Sequence, residues 1–423
     1  MLTLLATLPF LHIGISYYAS LQTVMVFLLL IYSMQSFAKL KLSTWIFSAL
    51  IGAAMIAGLL ASAETTTDDV LRRGRETLFF IIIAFATRSF AMRPPFSIGP
   101  NSYRPIAVLG VIFAVLAFIQ YLSLGRGKYF GLPQNWFIAN QDTLPSALSL
   151  FYSKLRPAGT YGEPSYFAFV LLSMFVMFVP LLRERFRRPF TDQTHRFGTI
   201  DVRYTVPSQA IWACTPIVVA GALTQSLAFY LALPALVYVG VIRNMSFIAR
   251  TRTLLIAGLV GVAVINSPVV STVTNRIANT ETDTSTSARI FTPLLVTPQY
   301  LMAEPAGAPQ SRLVEAIHPF SSRYGATPDE ILNNGFFNMI FFYGFTGLFC
   351  TAWLVSALKD LTLTTYLLLC MMFNGAIFAA DKAAAIMLTV GIYYSMQQWI
   401  ENNRRARQID DNTVQQTYGV AHG

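Results

Sequence analysis

The sequence predicts an all-α polytopic integral membrane protein with about twelve membrane-spanning helices and large loops on one side. Of its 423 residues, 54% are hydrophobic and only 12% are charged, whereas a soluble domain carries about 25% charged residues. The mean hydropathy is +0.53. This composition excludes a soluble protein, and no stretch stands apart as a soluble domain, so residues 1–423 are predicted to form a single membrane domain.

Twelve candidate spans follow from the rule that a spanning helix needs roughly 20 mostly apolar residues. The spans cover residues 3–18, 20–38, 43–63, 77–92, 105–123, 164–182, 208–223, 226–243, 253–268, 336–357, 361–380 and 383–400. The pair 208–223 and 226–243 is separated only by "LTQS". The first span has no basic segment before it and no cleavage site, so it is predicted to be retained.

Lysine and arginine set the orientation of the spans. The loop 183–207 carries six arginines, and "KLK" at 39–41, "RNMSFIARTR" at 243–252 and "ENNRRAR" at 401–407, at the start of the tail 401–423, are also basic. An even number of spans places all four on one side with both termini, and that side is predicted to be cytoplasmic. Because the basic residues lie in short loops between apolar runs, topology explains most of the formal charge of +10, and no nucleic-acid partner is expected.

Three sizeable loops then face outward, at about 64–76, 124–163 and 269–335. Connections longer than about 12–15 residues are usually functional or disordered, and the last two loops are predicted to roof an active site. The outward arginines are informative because they run against the charge bias. As a set they suggest an outward cavity for an anion, although each one could be solvated or could anchor to lipid headgroups. These loops contain Arg72, Arg73, Arg75, Arg126, Arg156, Arg276, Arg289, Arg312 and Arg323, with Lys128 and Lys154.

The stretch "RPAGTYGEPSYF" concentrates polar chemistry at the start of the span 164–182. Pro164 favours the first turn of a helix, so Glu163 is predicted beside the helix N-terminus, where a carboxylate is stabilised by the helix dipole. Glu163 is therefore a capping residue or a partner of Arg156, or else a general base or an orienting group for a sugar hydroxyl.

His318 is the one histidine in an outward loop, and it is either a surface residue or a catalytic one. Asn333 and Asn334 precede the span 336–357 and either cap it or bind sugar. The carboxylates of "TETD" at 280–283 are weak grounds for a metal, and none is predicted. The three cysteines lie in apolar runs, so a disulfide framework is not expected. No nucleotide-binding or metalloprotease motif is present in the sequence, and no cofactor is predicted.

The segment "RPAGTYGEPSYFAFVLLSM" resembles the Arg-Pro-x-Gly-x-x-x-Glu-Pro-Ser signature of Wzy-type bacterial polysaccharide polymerases, which build O-antigen and exopolysaccharide from repeat units. The close pair around "LTQSLAFYL", the late loop with "TSARI", and "NNGFFNMIFFYGFTGL" are similar to that family too, so the resemblance covers roughly residues 20–400. Many relatives carry a histidine before the late asparagine, where this chain has Asn333. Either His318 takes that part or the chemistry needs no histidine.

The resemblance implies a GT-C-like glycosyltransferase of the bacterial inner membrane, related to the O-antigen ligases. It would join undecaprenyl-pyrophosphate-linked repeat units at the periplasmic face without a metal. A flippase and a chain-length-regulating co-polymerase are implied partners beside the lipid bilayer. Glu163 and His318 are the catalytic candidates. The substrate-binding candidates are Tyr161, Arg156, Arg276, Arg289, Arg323 and Asn334.

Three other functions stay open at this point. An O-antigen ligase, which transfers finished glycan to lipid A core, would share the topology and the arginines, but the complete signature and the missing late histidine favour a polymerase. A flippase or other transporter would place charges near the middle of its spans and show related halves, and neither feature is visible. A structural scaffold would leave the outward arginines and the large loops unexplained.

Overall fold

The structure, a computed structural model, describes residues 21–60, 65–99, 101–126, 156–159, 164–187, 209–255, 291–373 and 377–419. The first helices are α1 (Leu21–Phe37), α2 (Leu42–Leu60), α3 (Thr67–Met92), α4 (Arg104–Gly125), α5 (Pro164–Arg187), α6 (Gln209–Leu223) and α7 (Leu227–Gly240). The later ones are α8 (Thr292–Ala303), α9 (Gln310–Ser321), α10 (Pro328–Leu332), α11 (Gly335–Tyr343), α12 (Phe345–Ser356), α13 (Leu361–Met372) and α14 (Ala380–Gly419).

Helices α5 and α14 form the centre of the bundle. The hydrophobic window of α5 is 89% buried, whereas the windows of α2, α4 and α7 are 28%, 39% and 33% buried. Helix α14 packs on α5, α3 and α1, and α5 also packs on α6 and α7. The outer helices are therefore apolar on faces that the described part of the chain leaves exposed, as expected for helices that meet lipid.

The fold class predicted from the sequence, an all-α polytopic membrane protein, is confirmed. Within the described residues, four helices are long and apolar enough to cross a membrane, namely Leu42–Leu59, Arg104–Leu124, Pro164–Phe186 and Leu227–Asn244. Shorter apolar helices are Thr23–Met34, Trp212–Leu223, Phe345–Ser356 and Leu361–Met372. The separation of α6 from α7 at Thr224–Ser226 is also as predicted. The span 3–18 and most of 253–268 lie outside the described residues, so twelve spans stay a prediction.

The predicted span 336–357 is not one continuous helix, because the helix breaks at Gly344 into α11 and α12. Gly344 has φ +59° and ψ −140°, and a Cβ built there would lie 2.0 Å from the carbonyl oxygen of Pro305. The backbone N–H of Phe345 donates to that same carbonyl at 3.0 Å. The break therefore depends on a close approach between two distant segments. Likewise, the predicted span 361–380 ends as a helix at Met372, and α14 begins before residue 383.

Ion pairs fasten the end of the bundle where α5 and α7 finish and α13 begins. The Arg183 guanidinium donates to Asp360 at 2.9 Å and to the Gly240 carbonyl at 2.9 Å. Burial opposes ionisation of Asp360, but hydrogen bonds from Arg183 keep the pKa of its carboxyl below the ordinary value. Glu184 pairs with Arg404 of α14. Four helices are thus joined at the end opposite the start of α5.

Candidate active site

The Arg-Pro-Ala-Gly part of the signature is a short turn held against α4 by Gln120. The Gln120 Nε2 donates to the Gly159 carbonyl at 2.8 Å, and its Oε1 accepts from the N–H groups of Gly159 at 2.9 Å and of Ala158 at 3.2 Å. Gln120 is fully buried. A side chain that binds one residue at both backbone groups fixes the path of the turn, and with it the position of Arg156.

Gly159 fits this turn because no other residue could take its place without strain. Its φ is +64°, and a Cβ would lie 2.8–2.9 Å from the ring of Phe167. Phe167 in turn packs edge-on against Phe113 of α4, with ring centroids 5.2 Å apart. Helix α5 begins at Pro164, as predicted. The half-buried Arg156 therefore lies on a rigid support between the end of α4 and the start of α5.

A second cluster surrounds the carbonyl of Phe373, where α13 ends. This oxygen accepts from the Gly335 N–H at 3.1 Å and from the Nζ of Lys382 at 3.1 Å. Lys382 is fully buried, and its ammonium lies 5.9 Å from the ring centroid of Phe169 in α5. The starts of α5, α11 and α14 thus meet at the same end of the bundle as the signature turn.

Asn334 is the N-cap of α11. Its side-chain oxygen accepts from the N–H groups of Phe336 at 3.0 Å and Phe337 at 3.4 Å, and its Nδ2 faces the Sδ of Met372 at 3.5 Å. Of the two roles suggested by the sequence, the geometry supplies the capping one, and a sugar-binding role stays a prediction. Asn334 is buried beside the Phe373 cluster.

Arg73 is one of the predicted outward arginines, but both terminal nitrogens of its guanidinium donate to backbone carbonyls, and the group lies over aromatic rings. It donates to Met55 at 3.2 Å, to Ala308 at 3.1 Å and to Phe342. Its charge lies 4.8 Å from the ring centroid of Tyr343, whose hydroxyl donates to Glu76 at 2.5 Å. Arg73 therefore holds the fold together rather than offering itself to an anion.

Two further outward arginines are paired with carboxylates. Arg72 pairs with Glu76 at 3.0 Å, and Arg312 pairs with Glu304 at 2.8 Å. Asp69, at the start of α3, accepts from the N–H of Ser311 at 3.1 Å and from its hydroxyl at 2.7 Å. Helix α9 is thus docked on the first turn of α3, and α8 is held to α9 through the ion pair at its C-terminal end.

The remaining predicted site residues fall into two groups. His318 is exposed on α9, and the exposed Arg323 donates to Gln299 at 3.2 Å and lies 6.0 Å from the Phe320 ring centroid. Both side chains are therefore exposed, whereas the side chain of Asn334 is buried. The other four, Glu163, Tyr161, Arg276 and Arg289, lie outside the described residues.

Sequence reasoning missed Gln120 and Lys382, although each carried a signal. Gln120 is the one amide side chain within the apolar run 105–123, and Lys382 directly precedes the run 383–400. Polar side chains at membrane depth are rare and commonly functional. Among the described residues, no cluster of three histidine, cysteine or acidic side chains is arranged to hold a metal ion.

Comparison with known proteins identifies a family. The family model described as WcaD colanic acid polymerase matches residues 1–392. No curated protein and no solved structure matches the chain. The match spans the signature turn, the Phe373 cluster and the docked loop helices.

Proposed function

This chain belongs to the WcaD colanic acid polymerase family, and from that premise we propose that it joins undecaprenyl-pyrophosphate-linked repeat units at the periplasmic face of the inner membrane. The protein is a polysaccharide repeat-unit polymerase, hence a membrane glycosyltransferase that acts on lipid-linked substrates. The function expected from the signature is confirmed at that level. The proposal adds three points: the donor carries a pyrophosphate, the reaction takes place at the periplasmic face, and the residues named below perform it.

The rigid placement of Arg156 is the observation that carries the proposal. When the glycosidic bond to a lipid pyrophosphate breaks, negative charge develops on the leaving phosphate, and a guanidinium grips its oxygens through two parallel hydrogen bonds. Such a donor is most effective when it is preorganised and away from water. Gln120 and Phe167 hold the turn that carries Arg156 in this way. Arg156 would therefore stabilise the leaving group without a metal ion.

The acceptor hydroxyl has to lose a proton as it attacks the donor sugar, which requires a nearby base. We favour Glu163 over His318 for this step. Glu163 directly precedes the first residue of α5, four positions after the held Gly159. His318 lies on the exposed face of α9. Asn334, Arg323, Tyr161, Arg276 and Arg289 are proposed to bind sugar or phosphate, and Asn334 would do so beside its capping role.

The proposed orientation places the signature turn and the docked loop helices outside and both termini in the cytoplasm, as the charge bias predicts. A flippase would supply the outward-facing repeat units, and a co-polymerase would set the chain length. The central helices carry no charged residue over 167–182 and 383–396. This favours an enzyme working at the end of the bundle over a transporter with charges near the midplane.

The test is reconstitution of the purified protein in liposomes with its host's lipid-linked repeat unit, without nucleotide sugar and with a metal chelator. We expect a ladder of products spaced by one repeat unit on gels and in mass spectra. Transfer only to added lipid A core would replace the polymerase with a ligase. Unchanged substrate in the other leaflet would indicate a transporter. A ladder that appears only when a divalent metal is added would overturn the metal-independent part of the proposal.

A further inference from the structure

Helix α8 lies within residues 269–335, which the sequence predicts to be an outward loop, and it exposes apolar side chains. It buries Val296 and Tyr300 and exposes Leu294, Leu295 and Met302, the last to 88%. Phe291, which precedes the helix, is exposed on the same side. Residues three, four and seven positions apart share one face of a helix. The exposed face of α8 is therefore apolar, as its buried face is, whereas a surface helix in water is polar on its exposed face.

The next helix, α9, has the ordinary arrangement. It buries Leu313 and Ile317, while Gln310, Glu315 and His318 are exposed. Helices α8 and α9 are consecutive and pack on one another, so they form a helical hairpin. The exposed surfaces of its two helices suit different environments. One suits hydrocarbon and the other suits water.

The depth of the hairpin is set by its contacts with α2. The Arg73 guanidinium joins the Met55 carbonyl of α2 to the Ala308 carbonyl. A Cβ on Gly58 would lie 2.9 Å from the Ala306 carbonyl oxygen. Met55 and Gly58 both belong to the membrane-crossing stretch Leu42–Leu59. The turn that follows α8 therefore lies beside the last turns of a helix that is long and apolar enough to cross a membrane.

Irregular backbone at that depth requires partners inside the protein, since lipid offers none. The turn has them. Arg73 donates to the carbonyls of Ala308 and Phe342, the Tyr300 hydroxyl donates to the Phe341 carbonyl at 2.7 Å, and the Ala308 N–H donates to the same oxygen at 3.1 Å. The buried Arg73 thus satisfies backbone carbonyls of a non-helical turn that lies among apolar side chains.

We propose that α8 is inserted into the membrane leaflet at the end of the bundle where α2 ends and α3 begins, with Phe291, Leu294, Leu295 and Met302 against the lipid acyl chains. Helix α9 lies in the adjoining aqueous layer. A helix that lies in the membrane interface buries its lipid-facing side by about 5–10 Å. The predicted outward loop 269–335 would then contain α8 as a membrane-embedded helix that is too short to span the bilayer.

The experiment uses the full-length protein in liposomes, with Leu295→Cys or Met302→Cys labelled by an environment-sensitive fluorophore. Glu315→Cys on α9 is the matched control. The wild type carries only buried cysteines at 214, 350 and 370 and should take up little label. Quenching is measured with doxyl-labelled lipids, which act within the acyl region, and with iodide, which acts from water.

We expect lipid quenchers to remove most of the fluorescence at residues 295 and 302 and iodide to have little effect, with the opposite pattern at residue 315. Iodide quenching at both α8 positions, as strong as at residue 315, would place α8 in water and overturn the proposal. Protection from both quenchers would also overturn it, because another protein surface would then cover the face. Two separate α8 positions keep the test valid if one variant does not fold.

Discussion

Gln120 holds Gly159 by both of its backbone hydrogen-bonding groups, with contacts of 2.8 Å to the carbonyl and 2.9 Å from the N–H. A single amide side chain of α4 thus supplies the hydrogen bonds that a neighbouring strand would give to an extended segment. Because the buried amide satisfies these backbone groups, the turn can remain among apolar side chains. The consequence is a fixed position for Arg156, three residues earlier.

Arg156→Ala should abolish polymer formation while leaving the protein in the membrane. Loss of a preorganised donor at a developing charge typically lowers the rate by about 100-fold or more. Arg156→Lys should recover only a small part of the activity, since lysine keeps the charge but not the fork that binds two oxygens. The measurement is ladder formation by the reconstituted variants.

Arg126→Ala is the matched control, because Arg126 is exposed at the same end of the bundle, where α4 ends. It should form polymer at the wild-type rate. If Arg156→Ala also formed wild-type polymer, the phosphate role of Arg156 would be wrong.

Gln120→Leu should reduce polymer formation by releasing the turn rather than by removing a group that touches substrate. Three backbone contacts lose their partner, and each buried polar group left unsatisfied costs about 1–3 kcal/mol. We expect limited proteolysis to cut near residue 158 faster in this variant. Ile119→Ala, at a neighbouring position exposed on α4, should change neither property. Unchanged proteolysis of Gln120→Leu would show that the turn is held by other contacts.

The signature region shows how far the sequence predicts this structure. The Pro164 start of α5, the separation of α6 from α7 and the membrane fold follow from local composition, and all were predicted. The partners of Arg73 were not, because they lie at residues 308 and 342, whose approach depends on the folded loop. Arg73 was predicted to bind an anion only because of its position in an outward loop. The break at Gly344 was missed for the same reason, since its cause is a carbonyl at residue 305.

Gly344→Ala should destabilise the protein far more than Gly325→Ala. Both glycines have positive φ, +59° at Gly344 and +66° at Gly325, and the left-handed conformation of Gly325 costs other residues roughly 1–2 kcal/mol. At Gly325 a new Cβ meets nothing within 4 Å, whereas at Gly344 it meets the Pro305 carbonyl at 2.0 Å. Only Gly344→Ala therefore has to separate α11 and α12 from the turn after α8.

Thermal unfolding of the two variants in detergent, followed by circular dichroism, checks this difference. Gly325→Ala should lower the midpoint slightly, by the strain of the backbone alone. Equal shifts for both variants would mean that the contact between residues 344 and 305 adds nothing to stability.

Asp69 should stabilise the docked loop helices at neutral pH through its ionised form. Burial opposes ionisation, but hydrogen bonds from Ser311 and Thr66 lower the pKa of its carboxyl from 3.8 to about 2. Because the pKa is lower in the folded state, the stabilisation is complete above the unfolded value near 4 and is lost as the pH falls through about 2. The size of the shift corresponds to about 2 kcal/mol.

Asp69→Asn should therefore lower the unfolding temperature by a constant amount between pH 8 and pH 5. Between pH 4 and pH 2 the gap from the wild type should narrow, because the wild-type carboxylate becomes protonated. Asp68→Asn is the control, since Asp68 is exposed on the same turn of α3, and it should leave the curve unchanged. A gap that stayed constant down to pH 2 would mean that the lost contact is geometric and independent of the carboxylate charge.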